Sequence, residues 1–318
     1  MIKHLTRRQW IAGAAGSFAL SGCASRATKF APVSIHRMAA YSESLYDLLR
    51  QVIAEHRLDV RGKRVVLKPN LVEFDEKAVI NTNPKFVHAA LEAFRAAGAA
   101  EVRIAEGPGH RRVTLDLADS AGYFSTIRQF EDLFTDLNLD DITRVLFRRP
   151  QSKLNSIYLP NTALGCDLLV SLPKMKTHHW AGATLSMKNL FGVVPGGVYG
   201  WPKNVLHWAG IDETIADLHR VFPRVFSIVD GIVGMEGNGP IQGSEIASGV
   251  VVAGADAVAV DATCCRVMRL DPLRVGYLRL SASVRQLGEE MIPQTGERIE
   301  SVARRFALLP ELESLRLG

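Results

Sequence analysis

The chain has 318 residues, 38 Lys and Arg against 33 Asp and Glu, a formal net charge of +5 and four cysteines. That length holds one large α/β domain or two intimate lobes with ample core. With no CxxC pair, the cysteines encode neither a zinc cage nor an iron–sulfur cluster.

From the N-terminus, Thr6-Arg7-Arg8-Gln9-Trp10-Ile11 sets two adjacent arginines before a bulky apolar pair, and Ile11 to Leu20 is uncharged and rich in Ala and Gly. A bilayer span needs about 20 apolar residues, so this stretch reads as the apolar part of an export signal. Its weak hydrophobicity and the arginine pair point to the twin-arginine route. Leu20-Ser21-Gly22-Cys23 follows as a lipobox would. Residues 1–22 are therefore expected to be a signal peptide, with Cys23 acylated as the mature N-terminus. The expected location is periplasmic, lipid-anchored to a membrane. Ala24 rather than Asp follows the cysteine, which favours the outer membrane in a Gram-negative host. Lys3, Arg7 and Arg8 leave with the signal, lowering the net charge from +5 to +2. A nucleic-acid partner is thus not indicated. No later apolar run is long enough for a transmembrane domain.

Residues 23–40 read as a tether and 41–318 as the α/β body. Tyr41 to Leu58 is predicted helical, with Leu45, Leu48, Leu49, Val52 and Ile53 at helical spacing. Arg64 to Leu67 is a short buried strand. Pro84 to Ala97 is a helix that opens on Pro and stops at Gly98, and Val102 to Ala105 is the next strand. This strand–helix–strand unit builds parallel sheets. Thr114 to Phe134 is expected as a helix in two pieces broken at Gly122. Arg144 to Phe147 and Ser156 to Leu159 read as strands able to pair, and Asp167 to Leu172 as a buried strand. Ile211 to Val221 is helical, and Val225 to Val229 is a strand ending at Asp230. Gly249 to Ala253 is a strand followed at once by a helix from Ala255 to Met268. Val193 to Pro202 and Gly231 to Gly243 are the expected mobile loops. The fold class is α/β, a mostly parallel or mixed sheet with helices on both faces.

Polar residues gather just after the predicted strands: Lys68-Pro69-Asn70, Glu106 to His110, Lys174 to His179, and Asp230. Open parallel sheets bind ligands outside the carboxyl ends of their strands, so one shared site is expected there. Lys174 and Lys176 alternate and would face one side of an extended segment, and Lys188-Asn189 begins a short helical turn. Lysines gathered at one strand end repel unless an anion lies between them, so a phosphate or carboxylate fits. His178 and His179 are not expected to point into one site, so one would act as acid, base or ligand while the other packs or caps. His110 and His207 are weaker candidates. Asp230 and Glu236 would orient the histidine, hold a divalent metal or fix lysines by charge pairing.

At these motifs the chain resembles the prokaryotic family catalogued as domain of unknown function 362. The stretches that carry the resemblance are Leu67 to Asn70, Leu172-Pro173-Lys174-Met175-Lys176-Thr177-His178, Leu185 to Gly192, Val229-Asp230-Gly231, Ala253 to Asp256 and Val260-Asp261. It runs from about residue 63 to 270. Some relatives carry ferredoxin-like clusters; this chain departs from them in lacking the cysteine array.

The leading expectation is an exported lipoprotein enzyme acting on a small anionic substrate, with or without a metal. The alternative is a non-catalytic periplasmic binding lipoprotein for an anionic solute or metal complex. The candidate catalytic residues are His178, Lys176, Asp230 and Glu236. The candidate ligand-binding residues are Lys68, Asn70, Glu106, Lys174, Lys188 and Asn189. The cofactor is open: a divalent metal is allowed for, an iron–sulfur cluster is not expected, and the sequence designates no metal site.

Overall fold

A computed structural model describes residues 30–109 and 113–318. The export signal, Cys23 and His110 lie outside the described residues. The strands, in chain order, are β1 (Val33–Arg37), β2 (Arg64–Pro69), β3 (Glu101–Glu106), β4 (Phe134–Asp136), β5 (Ile142–Leu146), β6 (Ser156–Pro160), β7 (Leu168–Leu172), β8 (Lys174–His178), β9 (Gly182–Thr184), β10 (Val225–Glu236), β11 (Ser244–Gly254) and β12 (Gln294–Gly296). Ten of them form one sheet in the order β12-β1-β11-β10-β7-β2-β3-β4, with β8 pairing β10 and β9; β5 and β6 form a separate hairpin. The run β10-β7-β2-β3-β4 is parallel. The β1-β11, β10-β11 and β8-β9 pairs are antiparallel, so the sheet is mixed and mostly parallel.

Alternation along each strand feeds two apolar layers, because successive side chains leave opposite faces. Val65 and Leu67 join Phe226, Ile228 and Val251 beneath the helices Ser44–Glu55 and Pro84–Ala96. Val66, Leu169, Val229 and Val252 join the other layer, with the helices Ile211–Val221 and Ala257–Val267. The Pro84–Ala96 helix starts where expected: Asn83 accepts a hydrogen bond from the Lys85 amide at the N-cap, with Pro84 in the first turn. The Ala257–Val267 helix is buried on every side, and Asp256 caps it by accepting from the Val258 and Ala259 amides. Among the described residues no helix is long and apolar enough to cross a membrane.

Three expectations need correction. Residues 33–37 are not tether: they form β1, held between β11 and β12. Its short apolar-polar run carries no strong signal by itself, and its order comes from pairing with partners more than 200 residues away. The Thr114–Phe134 segment is three short helices, broken at Gly122 and again at Gln129, which has a φ of 56°. β10 does not stop at Asp230 but continues to Glu236, so the first half of the expected Gly231–Gly243 loop is strand. The pairing of β8 with β10 jumps from Asp230↔Lys174 to Met235↔Lys176, a bulge that sets different surroundings against successive lysines.

Candidate functional site

The carboxyl ends of β2, β3 and β7 converge with β8 on one sheet edge. An ammonium offers three N–H donors and no acceptor, so counting each lysine's partners shows what it can still do. Lys68, fully buried on β2, donates to Glu106 Oε1 at 2.7 Å, Pro69 O at 2.9 Å and Asn189 Oδ1 at 3.1 Å. Lys174 on β8 donates to Asp230 Oδ2 at 2.6 Å, the Tyr41 hydroxyl at 2.9 Å and Val233 O at 3.0 Å. Both ammonium groups are saturated, and each has its own carboxylate. Burial pushes both pKa values down, and the paired carboxylates oppose that shift. The expected convergence of Lys68 and Lys174 on a ligand is therefore corrected: they are internal cross-links.

Asp230 pairs with Lys174, one of the roles expected for it. Asp230 is fully buried, and its oxygens accept from Lys174, Tyr41, the Asn83 amide and the Ile232 amide. Nothing in that shell touches a histidine, and no lone pair is left for a metal. Glu236 accepts from the Ala307 amide at 2.8 Å and tethers the C-terminal segment. Among the described residues, no group of three or more His, Cys, Asp or Glu is placed to hold a metal ion.

The lysines with donors to spare surround a cavity of about 830 Å³. Lys176 donates to Ile80 O at 2.9 Å and Pro240 O at 3.1 Å. Lys203 donates to Gly107 O and to Phe191 O. Each keeps one donor. The Lys188 nitrogen lies 3.8 Å from the centroid of the Phe191 ring, and no hydrogen bond or ion pair holds it among the described residues. Burial lowers the pKa of all three, to about 7 for Lys188 and Lys203 and well below the usual range for Lys176. Neighbouring lysines push the same way. Of the three acids on the wall, Glu73 accepts from the Phe74 amide, Glu106 is engaged with Lys68, and Glu311 is on an exposed turn.

The turn that carries Lys188 is fixed from several sides. Asp261 accepts from the Ser186 and Met187 amides at 2.8 and 3.0 Å, orienting the short helix Ser186–Asn189. Burial raises the pKa of Asp261 to about 7, against the pull of those amides. Asn189 donates to Lys68 O and Ser171 Oγ and accepts from Lys68 and Asn70. Gly192 closes the turn where no side chain fits: a Cβ there would meet both Glu106 carboxylate oxygens and the Lys68 ammonium. Two buried polar atoms on the cavity wall, Asn70 Oδ1 and Thr184 Oγ1, have no partner among the described residues.

Three imidazoles complete the wall, and their backbone contacts set the tautomers. His178 Nδ1 accepts from the Trp180 and Ala181 amides at 3.0 and 3.2 Å, so its proton sits on Nε2. Burial, then the Lys188 charge, holds its pKa well below the ordinary value. His178 thus presents its Nε2–H as a hydrogen-bond donor, its Nδ1 lone pair being engaged. His179 Nδ1 donates to Gly239 O and His207 Nδ1 to Lys203 O, which leaves each Nε2 lone pair available. Burial and Lys188 press His207 down to about 4. His178 and His179 also share the site, against expectation: their rings stack at 4.9 Å because β8 ends at His178 and strand alternation stops there. The sequence reading missed Lys203, Thr184 and the Trp180–Phe191 aromatic lining; Lys203 follows a Gly-Trp-Pro turn, and nothing local marks it.

The family model described as Domain of unknown function (DUF362) matches residues 65–266, more than half of the chain. A thylakoid-associated protein of Synechocystis sp. is 28% identical over 223 residues, covering 67% of this chain and 65% of that protein. The chain thus spans about 65% of the length of that curated relative. Among solved structures, the lactate racemase apoprotein from Thermoanaerobacterium thermosaccharolyticum matches with a TM-score of 0.46 and 13% identity, over 75% of this chain and 57% of that one. A Thermotoga maritima protein matches with a TM-score of 0.42 and 14% identity, over 75% and 58%.

Proposed function

The chain belongs to the DUF362 family, and for this member we propose an enzyme that binds a small phosphate- or carboxylate-bearing substrate in the cavity. The observation that carries the reading is the set Lys176, Lys188 and Lys203: three buried or enclosed cations with unengaged donors, around one cavity, with no ion-paired carboxylate among the described residues. Like charges held together in low dielectric destabilise the empty site, and an anion reverses that cost. The His178 Nε2–H adds a neutral donor. The open Nε2 atoms of His179 and His207 favour catalysis over binding alone, since neutral imidazoles beside a cation-held substrate can accept a proton.

Phosphate, sulfate and small carboxylates in a thermal-shift assay at constant ionic strength test this. At least one should raise the wild-type melting temperature. Each charge-assisted hydrogen bond contributes roughly 1.5–3 kcal/mol, so Lys176→Met or Lys188→Met should weaken binding by about 10-fold or more with little loss of fold stability. Lys174→Met should instead unfold readily, since it strands the buried Asp230 at a cost of about 3–5 kcal/mol. No stabilisation by any anion, with Lys188→Met melting far below wild type, would make these lysines structural.

We further propose export through the twin-arginine route and lipid attachment at Cys23, from the arginine pair, apolar stretch and Leu-Ser-Gly-Cys order. Arg7→Lys with Arg8→Lys should leave the protein unexported, and Cys23→Ala should release it from membranes on fractionation. Membrane attachment that survives Cys23→Ala would end the proposal.

A further inference from the structure

We propose that Lys188 is a covalent amine catalyst, condensing with the carbonyl of a small oxo acid to form an imine while Lys176 and Lys203 hold the acid group. This rests on the anion reading above and adds the ligand's class: a carboxylate or phosphate that also carries an aldehyde or ketone.

The geometry separates Lys188 from its neighbours. Lys68, Lys174, Lys176 and Lys203 each donate to two or three protein oxygens, which engage the nitrogen and fix its position. Lys188 donates to none among the described residues and faces the Phe191 ring. An attacking amine needs a free lone pair and open space; Lys188 lines the cavity, and its deprotonated form has both. Its backbone is nevertheless held firmly, through Asp261 on the Ser186 and Met187 amides and through the Asn189 cross-links. A lysine desolvated beside other cations is a standard activated nucleophile. With a pKa near 7, a large share of Lys188 is free amine at neutral pH. Asn70 Oδ1 and Thr184 Oγ1, buried without partners among the described residues, are available to a bound polar group.

The step balances without a redox partner. The Lys188 lone pair attacks the carbonyl carbon. A proton leaves nitrogen and reaches the carbonyl oxygen, giving a carbinolamine. The C–O bond then breaks, and the hydroxyl takes one proton and departs as water, leaving N=C. His207 and His179, each with an open Nε2 on the same wall, accept and return the proton. The protonated imine draws electrons from the adjacent carbon, the activation an enzyme of oxo acids needs.

Reductive trapping tests it. The full chain is incubated with pyruvate or glyoxylate and cyanoborohydride near neutral pH, then read by intact mass and peptide mapping. Acetate and phosphate thermal shifts run in parallel. The expected result is one adduct per chain on Lys188, formed about tenfold or more faster than on exposed lysines such as Lys77 and Lys85. Lys188→Arg should remove the adduct yet keep a thermal shift with acetate or phosphate, while Lys85→Arg, on the exposed surface, should keep the adduct. Labelling spread over many lysines, or centred on Lys203, overturns the proposal. No adduct with a clear acetate or phosphate shift also overturns it and leaves the anion reading standing. Neither adduct nor shift removes both.

Discussion

A buried ammonium group needs acceptors, and the lysines of this site meet that need to different degrees. Lys68 and Lys174 have a carboxylate each and no donor left; among the described residues, Lys203 has backbone carbonyls alone and Lys188 only a ring face. Deprotonation is the remaining way to relieve charge, which is why Lys188 and Lys203 fall to about 7. Their pKa values are depressed on folding, so from about pH 7 to the ordinary lysine value the unfolded chain binds more protons. Stability of the empty protein should therefore rise with pH across that window. A bound anion restores the ammonium form. Binding at pH 8.5 should thus take up protons, and affinity should fall as pH rises. Calorimetric titration with phosphate or acetate in two buffers of unlike ionisation enthalpy reads this directly. Equal apparent enthalpies in both buffers would show that the lysines do not change protonation, and the pKa assignment would be wrong.

Single elements explain why the Lys-Asn-Leu-Phe-Gly stretch is built as it is. The helix Ser186–Asn189 is a single turn, too short to be stable alone. Asp261, from a helix buried all round, supplies the missing acceptor for its first amides, and Asn189 ties its end to β2 and β7. Gly192 then brings the chain against the Lys68–Glu106 pair without a side chain. Gly192→Ala would drive a methyl into a carboxylate that already accepts from Lys68 and the Gly107 amide. Overpacking of this kind costs about 1–3 kcal/mol, and here it also separates a buried ion pair. Gly165→Ala meets nothing within 4 Å, so its effect should stay within about 0.5 kcal/mol. Urea denaturation of both variants makes the comparison; equal midpoints would mean that the turn yields without loss.

For the whole molecule, β1 links the two ends of the chain. It pairs with β11 along five residues and with β12 along three, and Arg37 reaches Glu297 and Ser301 O. Removing the proposed signal, residues 1–22, should leave the denaturation midpoint unchanged. Removing residues 1–40 deletes β1, exposes the edges of β11 and β12, and should give aggregated protein, because unpaired strand edges associate. A soluble, monomeric product of the longer truncation with an unchanged midpoint would refute that role. β1 also limits reach: with Cys23 acylated, at most about 35 Å of extended chain separates it from Val33, given roughly 3.3–3.6 Å per residue. The body would then sit close to the membrane surface.

Local periodicity and punctuation are properties of neighbouring residues, so they were legible in the chain. The helices over Ser44–Glu55, Pro84–Ala96 and Ala257–Val267, the parallel strands between them, and the gathering of Lys68, Glu106 and Lys174 at strand ends all follow from spacing and caps. Donor counts are not local. Lys68 meets Glu106 across 38 residues, and Lys174 meets Asp230 across 56. Only those closures show which lysines are cross-links and which are open. The same holds for the histidines, whose tautomers are set by the Trp180 and Ala181 amides and by Gly239 and Lys203 carbonyls. It holds for Lys203, which enters the cavity through a turn, and for β1, whose order comes from distant partners. Sequence by itself determined most of the helices, the central parallel strands and the edge where polar residues collect. Tertiary structure decided which of those residues are saturated, because hydrogen-bond saturation is a property of the contacts that close over them.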